Sequence, residues 1–74
     1  MPYVNIKVTG GKEAPTAAQK AELIKRTTQM LFDVLGKKPS TTVVVIDEVD
    51  LDNWGMGGEV ISVYRAKAAA EAKG

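Results

Sequence analysis

The sequence predicts an α+β fold: a β-α-β protomer with two parallel strands, followed by a short C-terminal ribbon. Three observations carry that expectation. Tyr3 to Val8 alternates with period two, which marks a half-buried strand. Thr16-Ala17-Ala18-Gln19 matches a capping box and opens a stretch with core-type residues three and four apart, which marks an amphipathic helix. Thr41 to Val49 is rich in β-branched residues and, at Val43-Val44-Val45-Ile46, apolar on both faces, as a strand covered on two sides reads. A strand–helix–strand unit of this kind closes by a right-handed crossover, so its strands lie parallel.

In the first strand Val4, Ile6 and Val8 share one face, and Tyr3, Asn5 and Lys7 share the other. Thr9-Gly10-Gly11 ends it, and Lys12 to Pro15 reads as a loop. The helix is expected from the Thr16 cap to about Leu35. Its core stripe is Ala21, Ile24, Thr28, Leu31 and Leu35, with Lys20, Lys25, Arg26 and Asp33 left to solvent. Gly36 stops the helix and Pro39 prevents its resumption. After the second strand, Asp50 to Asn53 is polar and turn-forming. The three glycines of Trp54-Gly55-Met56-Gly57-Gly58 suggest a tight ribbon that fixes Trp54 and Met56 in place. Val60 to Tyr64 reads as a short strand. Ala66 to Lys73 has helical composition, but eight residues need docking to hold a helix.

The chain is short enough, at 74 residues, to be one domain over 1–74 with a marginal core. Such domains are held by disulfides, a metal or partner subunits. Cysteine and histidine are both absent, which removes disulfides, the common zinc and copper ligands, and any Ser-His or Cys-His nucleophile. Oligomerisation is the remaining route. Ten basic residues against nine acidic ones, a net +1, offer no general attraction to nucleic acid or to a membrane surface. No apolar run approaches the ~20 residues of a membrane span, and no signal peptide is evident, so a cytoplasmic location is the expectation. The Asp47-Glu48, Asp50, Asp52 run lacks the ligand pattern of a calcium loop and reads as a solvated strand end. Gly55-Met56-Gly57-Gly58 lacks the lysine and helix of a phosphate loop.

Pro2 is the residue with chemical potential. Proline in second position permits removal of the initiator methionine, and the new terminus is a secondary amine. A free α-amino group titrates near ~7.7–8.0, and both burial and nearby cations push that value down. Such an amine is neutral near pH 7 and acts as a general base whose conjugate acid returns the proton. With Met1 in place the same nitrogen is a tertiary amide and has no useful basicity.

Met-Pro opening a strand, a capped helix, a second β-branched strand and Trp54-Gly55-Met56-Gly57-Gly58-Glu59 together resemble the 4-oxalocrotonate tautomerase family over residues 2 to about 65. The resemblance implies protomers that join sheets into dimers and assemble as a hexamer, here a homohexamer. It implies a cofactor-independent isomerase with Pro2 as general base and a small anionic enol or 2-oxo acid as substrate. Trp54, with Met56, would wall the pocket. Lys12 and Arg65 would bind the anionic substrate, with Lys67 a further nearby cation. Two family arginines are replaced: the residue before the helix cap is Pro15, and the second-strand position is Val43. Lysine does not reproduce bidentate carboxylate binding, so an arylpyruvate-type enol monoacid is as good a candidate as a dicarboxylate. Two other readings remain. One is a non-catalytic subunit of a mixed ring. The other is a hydratase or dehalogenase of unsaturated acids that uses Asp52 or Glu48 to activate water.

Overall fold

Two parallel strands, β1 (Tyr3–Thr9) and β2 (Val43–Val49), frame the computed structural model, which describes residues 1–73. They pair in register from Tyr3↔Val43 to Thr9↔Val49. Between them α1 (Ala17–Leu35) crosses over. Its start is the capping box read from the sequence: Gln19 N–H donates to Thr16 Oγ1 at 3.1 Å, and Thr16 N–H donates to Gln19 Oε1 at 2.9 Å. Its end is Gly36 in the left-handed region at φ 68°, where a side chain would be strained. Short 3-10 turns at Gly11–Glu13, Pro39–Thr41 and Leu51–Asn53 make the corners.

After β2 the chain forms a ribbon, β3 (Gly55–Met56) paired antiparallel with β4 (Glu59–Val60). Gly57 and Gly58 both have positive φ, 62° and 83°, which is what a two-residue type I′ hairpin turn needs. The expected strand over Val60 to Tyr64 is not formed: α2 (Ile61–Lys73) begins at Ile61. The Leu51–Asn53 turn before Trp54 leaves no extended segment for a longer strand to pair with. Ile61 N–H donates to the Trp54 carbonyl at 2.9 Å, and the alanine-rich segment beyond it turns helical. Tyr64 lies against the Gly57 turn, so α2 docks on the ribbon and on the Leu51–Asn53 turn.

One face of the sheet, with Val4, Ile6, Val8 and their partners Val44 and Ile46, lies under α1. The helix stripe differs from expectation. Thr27, Thr28 and Leu31 turn inward and are half-buried, whereas Ala21, Ile24 and Leu35 remain exposed. Lys20 is half-buried rather than solvated, because it reaches across to Glu48 on the strand. Two strands about 4.8 Å apart are too narrow to cover an apolar stripe ~100° wide.

The result is a chain without a closed core. Ile61 is the one buried apolar side chain among the described residues, and Met30, Phe32, Val34 and Leu35 of α1 all face outward. The radius of gyration is 16.6 Å, against about 11 Å for a compact domain of this length. The accessible surface is 5592 Å², against about 4,400 Å² for a compact monomer of this mass. No helix among the described residues is long and apolar enough to cross a membrane.

The cap gives a direct test. Thr16→Ala should lower stability by about 1 kcal/mol in thermal or urea unfolding, and Thr16→Ser should restore most of it.

Candidate functional site

Pro2 stands immediately before β1 and is half-buried. Its carbonyl accepts the Val43 N–H at 3.0 Å, which anchors it to the sheet as a rung before the first registered pair. Met1, by contrast, is 91% exposed. Removing Met1 would therefore disturb no packing and would leave the Pro2 nitrogen on a fixed strand end.

The other candidates gather at the opposite end of the sheet. Trp54 is half-buried beyond β2, and its indole Nε1–H donates to the Val49 carbonyl at 3.0 Å. That carbonyl also accepts Gly10 N–H at 2.8 Å, so a single oxygen ties the exit of β1 to the aromatic side chain. Gly10 is buried there, and a Cβ would meet the Val49 backbone at 3.4 Å. Lys12 is exposed in the turn that follows β1, and Met56 is half-exposed in the ribbon. Arg65 lies on α2 and donates from Nη1 to Glu13 Oε1 at 2.9 Å. Lys67 pairs with Glu59.

Within one chain, then, Lys12, Trp54, Met56 and Arg65 share one end of the sheet and Pro2 occupies the other. β1 has seven residues, which at ~3.3 Å each separates the two ends by roughly 20 Å. The lysines that the fold returns to the Pro2 end are Lys37 and Lys38, exposed in the link between α1 and β2. They escaped the sequence reading because only the crossover brings that link back beside the start of β1. Glu13 escaped for a similar reason, since its partner Arg65 is 52 residues away in sequence.

The acidic run is divided by the strand pleat. Glu48 turns toward α1 and pairs with Lys20. Asp47 turns to the opposite face, where it accepts from Asn5 Nδ2 at 2.9 Å and Lys7 Nζ at 3.0 Å. Among the described residues no group of acidic side chains is placed to hold a metal ion. A groove on the outside of α1, lined by Pro15, Gln19, Glu22, Leu23 and Arg26, contains none of the candidate residues.

The hydrogen bond from Asn5, and then that from Lys7 with its charge, hold the Asp47 carboxyl below its ordinary value of 3.8. A depressed folded value means that Asp47 adds stability above the unfolded value and loses it as pH falls through the folded one. The gap in melting temperature between wild type and Asp47→Asn should therefore be widest near neutrality and narrow as pH falls below the ordinary carboxylate range.

Comparison with known proteins gives a consistent result. Residues 2–64 match the family model described as tautomerase enzyme. The chain is 55% identical over 69 residues to the probable tautomerase K2 of Dickeya dadantii, covering 93% of this chain and 100% of that one. It is 31% identical over 62 residues to the 2-hydroxymuconate tautomerase of Bacillus subtilis, covering 84% and 95%. Among solved structures, DmpI from Helicobacter pylori superposes with a TM-score of 0.78 at 40% identity, covering 88% of this chain and 97% of that one.

Proposed function

The chain belongs to the tautomerase family and is an isomerase of that kind, and we propose that its general base is the secondary amine of Pro2, freed by removal of Met1. The observation that carries this reading is the contrast at the chain start. Met1 is free of packing, while Pro2 is half-buried and pinned through its carbonyl to β2. An amine on a rigid strand end, flanked on the sheet by Tyr3 and Val43, has the position and the partly dry surroundings that favour its neutral form. The stretch matching the family model also opens on Pro2.

The reaction needs no redox change and no cofactor. The neutral amine takes the enol hydroxyl proton of a 2-hydroxydienoate or related 2-oxo acid enol. The resulting dienolate is stabilised by cationic side chains, and the ammonium returns the proton to carbon, giving the conjugated 2-oxo acid. Positive groups fixed where the enolate charge develops supply the largest part of the acceleration. Because Lys12 and Arg65 lie a strand's length from Pro2 in one chain, the site closes between copies. The Pro2 end of one chain meets the Lys12, Trp54, Met56 and Arg65 end of another. Sheet joining into dimers and assembly into a homohexamer would also cover the apolar surface that one chain leaves open.

A second reading rests on Val43. It pairs with Tyr3 beside Pro2, where the resemblance expects an arginine. That favours a subunit which completes its site in a mixed ring.

Three measurements test these readings. Intact mass of the purified protein should show loss of Met1. Pro2→Ala should lower kcat/KM for enol ketonisation by at least about a hundredfold, and unchanged turnover would remove Pro2 from the mechanism. Sedimentation equilibrium of the chain purified alone should give a particle of six chains that is active. An inactive assembly would favour the mixed ring, and an active monomer would overturn the shared site.

A further inference from the structure

We propose that Glu13 is a specificity-determining residue: by neutralising Arg65 it turns the tautomerase site toward substrates with one carboxylate and against dicarboxylates. This rests on the reading of Lys12 and Arg65 as the substrate-binding cations.

Lys12, Arg65 and Lys67 are the three candidate substrate-binding cations at the Trp54 end of the sheet. Arg65 is engaged by Glu13 at 2.9 Å and Lys67 by Glu59. Among the described residues Lys12 alone of the three makes no ion pair. Glu13 and Lys12 are neighbours in one 3-10 turn, Gly11–Glu13, where successive side chains diverge by about 120°. The turn thus sends one carboxylate to α2 while leaving the adjacent ammonium free. A guanidinium already holding a carboxylate has less to offer a second one. An incoming dianion must displace Glu13 or find one carboxylate unmatched, whereas a monoanion can be held by Lys12 without disturbing the pair. Both partners are partly exposed, so the pair is a modest brake rather than a locked contact.

Selectivity is read in two ways. The first is kcat/KM for 2-hydroxymuconate relative to the 2-hydroxydienoate lacking its distal carboxyl. The second is calorimetric binding of muconate relative to sorbate, a matched unreactive pair of six-carbon dienoic acids with two carboxylates and one. Glu13→Gln should raise both dicarboxylate-to-monocarboxylate ratios about fivefold, equivalent to ~1 kcal/mol. Adding Arg65→Gln to that variant should return them to the wild-type ratio. Glu22→Gln makes the same change in net charge at a pair on the exposed helix surface, and should leave both ratios within about twofold of wild type.

A binding ratio that shifts as expected while Pro2→Ala leaves turnover unchanged would uphold the role of Glu13 and overturn the catalytic reading of Pro2. Ratios unmoved by Glu13→Gln, including a parallel loss for both ligands, would show that the pair only braces α2 and would overturn the proposal. Equal shifts in Glu13→Gln and Glu22→Gln would overturn it as well, by tracing the effect to overall charge.

Discussion

A sheet of two strands can cover one side of one helix and little else, and most features of this molecule follow from that limit. β1 and β2 are each seven residues long and fully registered, so the local structure is well determined. Yet the sheet is barely wider than the helix it supports. α1 buries Thr27, Thr28 and Leu31 only partly and leaves Ile24, Met30, Phe32 and Leu35 in solvent. The opposite sheet face, with Tyr3, Val43 and Val45, has no helix of this chain laid across it, because α2 docks on the ribbon instead. An extended protomer with this much apolar surface leaves a packing face open. The proposed assembly covers it by the hydrophobic effect alone, in a chain with neither cysteine nor histidine to substitute for it.

The same limit separates the site. Parallel strands send both carboxyl ends the same way, so whatever follows β1 and β2 collects at one end of the sheet. The Gly11–Glu13 turn, the Trp54 ribbon and the start of α2 all gather there, linked through the Val49 carbonyl and the Glu13–Arg65 pair. Whatever precedes β1 sits at the other end, and that is Pro2. On the proposed mechanism, base and cations can meet only across a junction between chains. Catalysis and assembly then become one requirement, met by the surfaces that a single chain leaves uncovered.

Charge placement is finer than the near-zero net charge suggests. Adjacent acids Asp47 and Glu48 serve different faces of the sheet, the first gathering Asn5 and Lys7 and the second Lys20. At the Trp54 end most of the positive charge is internally balanced. On the proposed reading, the substrate class is governed less by how many cations the sequence holds than by which of them are already occupied.

The sequence by itself determined what depends on near neighbours along the chain. The period of two in Tyr3 to Val8, the reciprocal Thr16–Gln19 cap, the Gly36 stop and the tight ribbon over Trp54 to Gly58 are each decided within a few residues, and each appears as read. Met-Pro and the glycine-rich ribbon were likewise enough to indicate the family. Only the tertiary structure decided the features set by distant partners. Lys20 was read as a solvated helix residue, but Glu48 stands 28 positions further on and draws it inward. Val60 to Tyr64 had strand composition, but the Leu51–Asn53 turn left no extended partner for it. Arg65 was read as a substrate-binding cation, and Glu13 engages it. In each case a contact between residues distant in sequence, or the course of the chain around them, decided what the local pattern left open.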